Sequence, residues 1–295
     1  MSFRSRGARR RRRARLVLLI SIVAAAVGVL ATDAGAGNRW PANAVGGFAT
    51  PTARGFWLWY ADGVVGVYGD AHSYGSAAAL PLNGPIVGGT VAHGGTGYYL
   101  VGSDGGIFTF GSARFLGSEG ARHLNQPIFS MALTRDGRGY WLVARDGGIF
   151  TFGDARFYGS TGGAHLHEPI VGVTRSETGR GYRLVARDGG LFSFGDAKYF
   201  GSLPSRGIHV TDVIGMARTP AGDGYWIARS DGQVYAFGKA RSYGRYKASP
   251  CDPVTAIFSD PVEDGYRLVV RSGGTIGFGA FGGRRTGLFL KCRRR

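Results

Sequence analysis

The sequence predicts an all-β fold, a single six-bladed antiparallel β-propeller, from a long-range repeat and a recurring hairpin signal. The unit GYWLVARDGGIFTFGDARFYGS, at Gly139–Ser160, recurs along most of the chain. The aromatic residue in its second position returns at steps of 42, 42, 42, 43 and 41 residues. A period of about 40 residues is typical of a propeller blade or a solenoid turn. These marker aromatics are Phe56, Tyr98, Tyr140, Tyr182, Tyr225 and Tyr266.

Within one repeat, residues 127–168, four short β-rich runs are separated by turn residues. They read PIFSMALT, GYWLVAR, GIFTF and RFYGS, and the second and third are joined by Asp146-Gly147. Asp-Gly between such runs is a strong hairpin signal and predicts a type I′ turn, in which the aspartate serves as a backbone cap. Because no segment after the N-terminal region has helical periodicity, the repeat predicts four antiparallel strands, as in a propeller blade.

One position in the first run of every repeat holds a small residue, ten residues before each marker aromatic. Innermost strands of a ring converge on its axis, whereas the stacked turns of a parallel solenoid favour branched apolar residues. The pattern therefore predicts a closed ring over residues 43–295. The aromatics of the second and third runs are predicted to fill the core between blades. The small residues are Gly46, Gly88, Ser130, Gly172, Gly215 and Ala256.

Residues 1–36 have the pattern of an export signal. Eight arginines precede the uncharged stretch Leu16–Thr32, and Ala34-Gly35-Ala36 has the spacing of a signal-peptidase site. The alternative is a single-pass membrane anchor with the propeller outside, although 17 uncharged residues are short for a span. We expect a secreted or cell-envelope protein in which residues 37–42 form a linker.

The charge of the chain lies mainly at its two ends. Removing residues 1–36 takes away eight arginines and one aspartate, which lowers the formal net charge from +17 to +10. We therefore expect no nucleic-acid partner, and contact with a membrane only through an uncleaved N-terminal segment. Cys251 and Cys292 are the two cysteines of the chain, and in an oxidising compartment they predict one disulfide.

The repeat unit resembles that of exported proteins of actinobacteria, in which near-identical units stand alone or follow hydrolase domains. The resemblance covers all six repeats and is most specific in repeats two to four. It implies an extracytoplasmic propeller and no established activity. Repeat six departs most, since its third run reads GTIGFGAFGG and lacks the Gly-Asp-Ala of the others.

One residue per repeat, just after the third run, is basic in five repeats. The ring of charge that this predicts has two interpretations: attraction to an anionic polymer, or protection of the outer strand against edge-to-edge pairing. Trp59 and Tyr60 depart from the small residues of the other repeats, which makes them candidates for a specific contact. The basic series is His72, Arg114, Arg156, Lys198 and Arg241.

Four histidines occupy connections to the next repeat, where they are either ordinary surface residues or groups able to bind a metal or to titrate together. They are His123, His165, His167 and His209. We assign no metal site, cofactor or catalytic residue. Asp212, which replaces a proline of the other repeats, is the most interesting of the non-periodic acids.

The predicted function is that of a non-catalytic, monomeric binding module for a cell-wall polymer, glycan or protein partner. The alternative is a hydrolase or lyase with one site at the propeller axis, which would need two converging carboxylates if it cleaved glycosides.

Overall fold

A computed structural model describes residues 41–291 of the chain. The predicted export segment, the start of the linker and Cys292 lie outside the described residues, so the expectations of cleavage, anchoring and a disulfide stay predictions. The described part is all-β, with one short 3₁₀ turn at Pro204–Arg206. Between residues 41 and 291, no helix is long and apolar enough to span a bilayer.

Within residues 41–291, nineteen strands form six antiparallel sheets, numbered 1 to 6 in chain order. Sheets 1 to 3 contain β1 (Ala44–Ala49), β2 (Phe56–Tyr60), β3 (Val65–Tyr68), β4 (Ile86–Val91), β5 (Gly97–Gly102), β6 (Ile107–Gly111), β7 (Ile128–Leu133), β8 (Gly139–Ala144) and β9 (Ile149–Gly153). Sheets 4 to 6 contain β10 (Ile170–Arg175), β11 (Gly181–Ala186), β12 (Leu191–Gly195), β13 (Val213–Arg218), β14 (Gly224–Arg229), β15 (Val234–Gly238), β16 (Val254–Ser259), β17 (Gly265–Val270), β18 (Thr275–Gly279) and β19 (Arg285–Thr286).

The aromatic core is confirmed in every sheet. The marker aromatic of each second strand lies directly opposite the aromatic of the third strand, as Tyr140 lies opposite Phe152. Their ring centroids are 5.4 Å apart, and the corresponding rings Phe56 and Tyr68 stack at 4.7 Å. All six marker aromatics are buried, so the residues that recur most visibly serve packing.

The Asp-Gly turns are hairpins, but they are not the type I′ turns that the sequence predicts. In sheet 2, Gly105 N–H donates to Gly102 C=O and Gly102 N–H donates to Gly106 C=O, each at 2.9 Å. Of the turn residues only Gly105 has a positive φ, 83°, so the loop is a three-residue turn closed by a left-handed glycine. Asp104 Oδ1 accepts from Gly106 N–H at 3.0 Å, which confirms the capping role of the aspartate.

The predicted fourth strand is wrong for five of the six repeats. Sheets 1 to 5 contain three strands, and sheet 6 has β19 as a fourth. We call the predicted fourth run of each repeat its outer segment; in repeat 2 it comprises residues 114–118. It includes Gly117, whose φ is 133° and which faces the ring of Phe152 in sheet 3. A Cβ on Gly117 would lie 2.5 Å from that ring. Close packing on the next sheet therefore bends the outer segment away from a regular ladder.

The marker tyrosines hold these outer segments. Leu116 N–H donates to the hydroxyl of Tyr140 at 3.2 Å, and that hydroxyl donates to Gly117 C=O at 2.6 Å. A tyrosine of one sheet thus fixes the outer segment of the preceding sheet, an arrangement we call the tyrosine clasp. The same pair of bonds is made by Tyr98, Tyr182 and Tyr225, and Tyr266 donates to Gly244 C=O.

A second contact joins each sheet to the next through the main chain. Ile128 N–H, at the start of β7, donates to Ser103 C=O after β5 at 2.9 Å. The equivalent bond occurs at every junction between sheets. Between the first and the last sheet, Ala44 N–H donates to Arg271 C=O, also at 2.9 Å. The first strand of each sheet contacts that of the next, and β1 contacts β16. The six sheets are therefore linked in a ring, which is compatible with the predicted propeller.

Replacing Tyr140 by phenylalanine should lower the free energy of unfolding by about 1–3 kcal/mol, because the polar groups of Leu116 and Gly117 lose a partner. Tyr158→Phe is the matched control, since the hydroxyl of Tyr158 makes no hydrogen bond to the described residues; we expect a change below about 0.5 kcal/mol. Urea unfolding followed by tryptophan fluorescence measures both values. Equal losses in the two variants would contradict the clasp.

Stability should also fall above pH 10. Burial raises the pKa of the five clasp tyrosines, to about 12 for Tyr225 and Tyr266. The neutral form is thus favoured in the fold, so this stabilisation is complete below the unfolded pKa of about 10 and is lost as pH rises through the folded values. Near-ultraviolet dichroism and tyrosinate absorbance should change together between about pH 10 and 12. Full tyrosine ionisation with unchanged dichroism would refute this coupling.

Candidate binding site

An axial cavity of about 330 Å³ lies between the six first strands. All six small residues identified from the sequence line it, which confirms that these positions face the axis. The other wall residues are mostly apolar, among them Phe48, Val173, Met216 and Ile257. Within residues 41–291, no acidic side chain lines this cavity.

Three arginines line the cavity where the first strands end. Arg175 is the last residue of β10, Arg218 is the last residue of β13, and Arg135 follows β7 by two residues. Because the first strands of a ring run in the same direction, side chains at their carboxyl ends gather at one end of the axis. We call this end of the ring, defined by these arginines, the arginine end, and the opposite one, which carries the Asp-Gly turns, the turn end.

Of the three arginines, Arg218 has an ion-pair partner among the described residues, whereas the other two have none. Arg218 Nη1 forms an ion pair with Glu177 Oε2 at 2.8 Å and also donates to Pro220 C=O at 3.1 Å. Arg175 Nη1 donates to the main-chain carbonyls of Ser176 at 3.2 Å and Glu177 at 3.4 Å. No carboxylate among the described residues forms an ion pair with Arg175 or with the exposed Arg135.

The surroundings of Arg175 disfavour its positive charge. Burial lowers the pKa of its guanidinium to about 10, and the charge of Arg218 adds to this effect; Glu177 opposes it, and Arg135 adds a smaller lowering. An anion held beside Arg175 would restore the charged form, because an opposite charge a few ångströms away favours ionisation.

The other end of the cavity is different in character. Phe129 lines it there, and the guanidinium of Arg145 lies 4.9 Å from the centre of the Phe129 ring. The cavity therefore has an aromatic contact towards the turn end, and two arginines without an ion-pair partner among the described residues towards the arginine end.

The five basic residues of the predicted ring are all exposed. They follow the third strands, so they lie on the outside of the ring near the arginine end. Their main chain is held from within: Trp141 Nε1 donates to Arg156 C=O at 2.8 Å, and Arg183 Nε donates to Lys198 C=O at 2.7 Å. In sheets 2 to 4 the next residue is an exposed aromatic, namely Phe115, Phe157 or Tyr199.

Trp59 and Tyr60 do not form an exposed contact surface. Trp59 is 1% exposed and lines the axial cavity, and Tyr60 is 7% exposed and packs beneath Gly273. Trp59 packs with Ile86 and Leu100 of sheet 2, whereas Tyr60 packs with Phe258 of sheet 6. A partner could reach Trp59 only through the cavity.

The loop histidines are exposed on three connections, one of which carries two of them; they are His123, His165, His167 and His209. Residues 41–291 contain no group of three or more histidine, cysteine, aspartate or glutamate side chains that could hold a metal ion. These histidines are therefore not gathered into a site with the neighbouring acids.

Asp212 serves to hold the main chain of sheet 5. Its Oδ1 accepts from Arg229 Nε at 2.7 Å, and its Oδ2 accepts from Ser230 Oγ at 3.1 Å. Asp212 does not line the axial cavity. Its carboxylate is therefore not placed to act as a general base on a substrate in that cavity.

A second depression at the arginine end brings Asp136 and Asp154 together beside His93 and Tyr158. Thr134 Oγ1 donates to Asp136 Oδ1 at 2.9 Å, and this hydrogen bond lowers the pKa of Asp136. The alternative reading places its reaction at the propeller axis, and neither carboxylate of this pair lines the axial cavity.

Sequence reasoning missed Arg135, Arg175 and Arg218. Their signal is a variation at the ends of the first runs: Arg175 and Arg218 stand where repeats 1 to 3 have Ala49, Val91 and Leu133. That variation becomes informative only when three such ends are known to meet at one axis. The chain matches no protein-family model, and comparison with curated proteins finds no significant match.

Proposed function

We propose that this protein is a six-bladed β-propeller of the cell envelope that binds an anionic wall polymer without catalysing its cleavage. The six linked sheets are the blades, and the main-chain bond between Ala44 and Arg271 supports a closed ring. Export through residues 1–36, with a cleaved signal or a retained anchor, is part of the proposal and rests on the sequence pattern alone.

The exposed pairs of a cation and an aromatic ring on neighbouring blades carry the binding proposal. They are Arg114-Phe115, Arg156-Phe157 and Lys198-Tyr199. A polymer of sugars with phosphate or carboxylate groups offers flat apolar faces and negative charges in alternation. Aromatic rings can pack against the sugar faces, and the cations attract the charges.

Preorganisation supports this surface as well. The main chain at Arg156 and Lys198 is fixed by bonds from the buried Trp141 and Arg183, so fewer degrees of freedom need to be ordered when a ligand binds. Edge protection would require the charges but gives no reason for exposed aromatic rings beside them.

The alternative of a hydrolase or lyase at the axis has less support. Asp212, the acidic residue singled out for it, is bonded to Arg229 and Ser230 and does not line the cavity. The described cavity wall carries no carboxylate. The paired carboxylates Asp136 and Asp154 lie in a different depression.

Reversing three charges tests the proposal. A variant with Arg114→Glu, Arg156→Glu and Lys198→Glu should bind purified anionic wall polymer roughly tenfold more weakly at low salt, and binding by the parent should weaken as salt rises. The matched control carries Arg187→Glu, Lys247→Glu and Arg271→Glu, which changes the net charge equally with exposed residues towards the turn end.

The control should bind like the parent, because its charges lie away from the proposed surface. Sedimentation with insoluble wall material and surface plasmon resonance with soluble polymer measure the two affinities. Equal weakening in both variants would mean that binding depends on the net charge of the protein and not on the proposed surface. Unchanged binding in the first variant would contradict the proposal and would indicate that the basic residues only protect the outer edges of the sheets.

A further inference from the structure

The axial cavity has features of a ligand site that the outer surface of the ring does not explain. Its volume of about 330 Å³ is at the lower end of the range for small-molecule pockets. Most of its lining residues are apolar, Val173, Met216 and Ile257 among them, although polar atoms contribute nearly as much of its surface as apolar atoms do.

The arginine side chains that line this cavity lie at one end and all carry positive charge. Arg135, Arg175 and Arg218 line that end, and Glu177 is occupied by Arg218 at 2.8 Å. Arg175 donates only to main-chain carbonyls among the described residues. Guanidinium groups gathered without enough carboxylates are costly, and an anion that accepts their remaining N–H groups relieves that cost.

We propose that the axial cavity binds a small amphipathic anion, whose carboxylate or phosphate group is held by Arg135, Arg175 and Arg218 and whose apolar part lies between the six first strands. Arginine suits both head groups, because its planar fork matches the paired oxygens of a carboxylate or a phosphate. Free energy for binding comes from two sources, burial of the apolar part and charge-assisted hydrogen bonds at the head.

This proposal is independent of polymer binding at the outer surface. The cavity residues do not include the basic ring, so a variant with reversed charges at Arg114, Arg156 and Lys198 should retain the small ligand. Binding of the small ligand and binding of the polymer can therefore be lost separately, so that either proposal can fail while the other holds.

Titration of the purified protein with four probes tests the site. Decanoate and monooctyl phosphate carry the two head groups on an apolar chain, decanol carries the chain without charge, and inorganic phosphate carries the charge without the chain. We expect decanoate or monooctyl phosphate to bind at least about tenfold more tightly than decanol and inorganic phosphate, since each of these lacks one source of affinity. Calorimetry gives the affinities, and fluorescence of Trp59, which lines the cavity, reports occupancy.

The variant with Arg135→Gln and Arg175→Gln should weaken binding of the charged amphiphile by at least about tenfold and leave decanol binding unchanged. The matched control, Arg138→Gln with Arg180→Gln, removes two charges from the same end of the ring. Those side chains are 81% and 77% exposed and do not line the cavity. The control should bind like the parent.

If the double variant loses the near-ultraviolet dichroism of the parent, Arg175→Lys takes its place. This change keeps the charge but removes the fork, so affinity for the charged amphiphile should fall while decanol binding stays the same. The proposal is overturned if no amphiphile binds, if decanol binds as tightly as decanoate and monooctyl phosphate, or if the cavity variants bind like the control.

Discussion

Each sheet of this molecule depends on its neighbour for the satisfaction of its own backbone. The outer segment of a repeat is too bent to continue its sheet, because a glycine such as Gly117 takes a positive φ and packs on the aromatic core of the next sheet. Its N–H and C=O groups are instead taken by the hydroxyl of the next marker tyrosine. A single sheet would leave these groups to solvent, so the repeats are stable only as a series.

The junction between the last and first sheets is held by a different side-chain contact. The marker aromatic of sheet 1 is Phe56, which has no hydroxyl, and sheet 6 has no outer segment of the usual kind. Here the guanidinium of the buried Arg267 lies 4.6 Å from the ring centres of both Phe56 and Phe281. The main-chain bond from Ala44 to Arg271 is retained. A cation between two rings thus replaces the tyrosine clasp at this junction.

The axial cavity is a consequence of this linkage. When six first strands surround one axis, positions of small residues face the centre and leave a space that apolar side chains only partly fill. The carboxyl ends of the same strands meet at one end, so a few substitutions there create a cluster of charge. The uniform parts of the repeats build the ring, and its variable strand ends are where a ligand would be recognised.

Much of this architecture was predictable from the sequence, because period, turn residues and small positions are local and repeated. The fourth strand was mispredicted since its alternative partner, a tyrosine hydroxyl, belongs to the following repeat. The turn type was mispredicted because an aspartate such as Asp104 caps the loop without taking a positive φ itself. Arg175 and Arg218 were missed because they are 43 residues apart and become neighbours only through the ring.

Hydrogen exchange at the six junction amides tests the closed ring most directly. Five of these amides belong to the first residues of the inner strands from Ile86 to Val254, and the sixth belongs to Ala44. If the ring is closed, the Ala44 amide is protected to a degree similar to the other five, since its bond to Arg271 is equivalent to theirs. Exchange of Ala44 at the rate of an unstructured chain, with the other five protected, would contradict a closed ring.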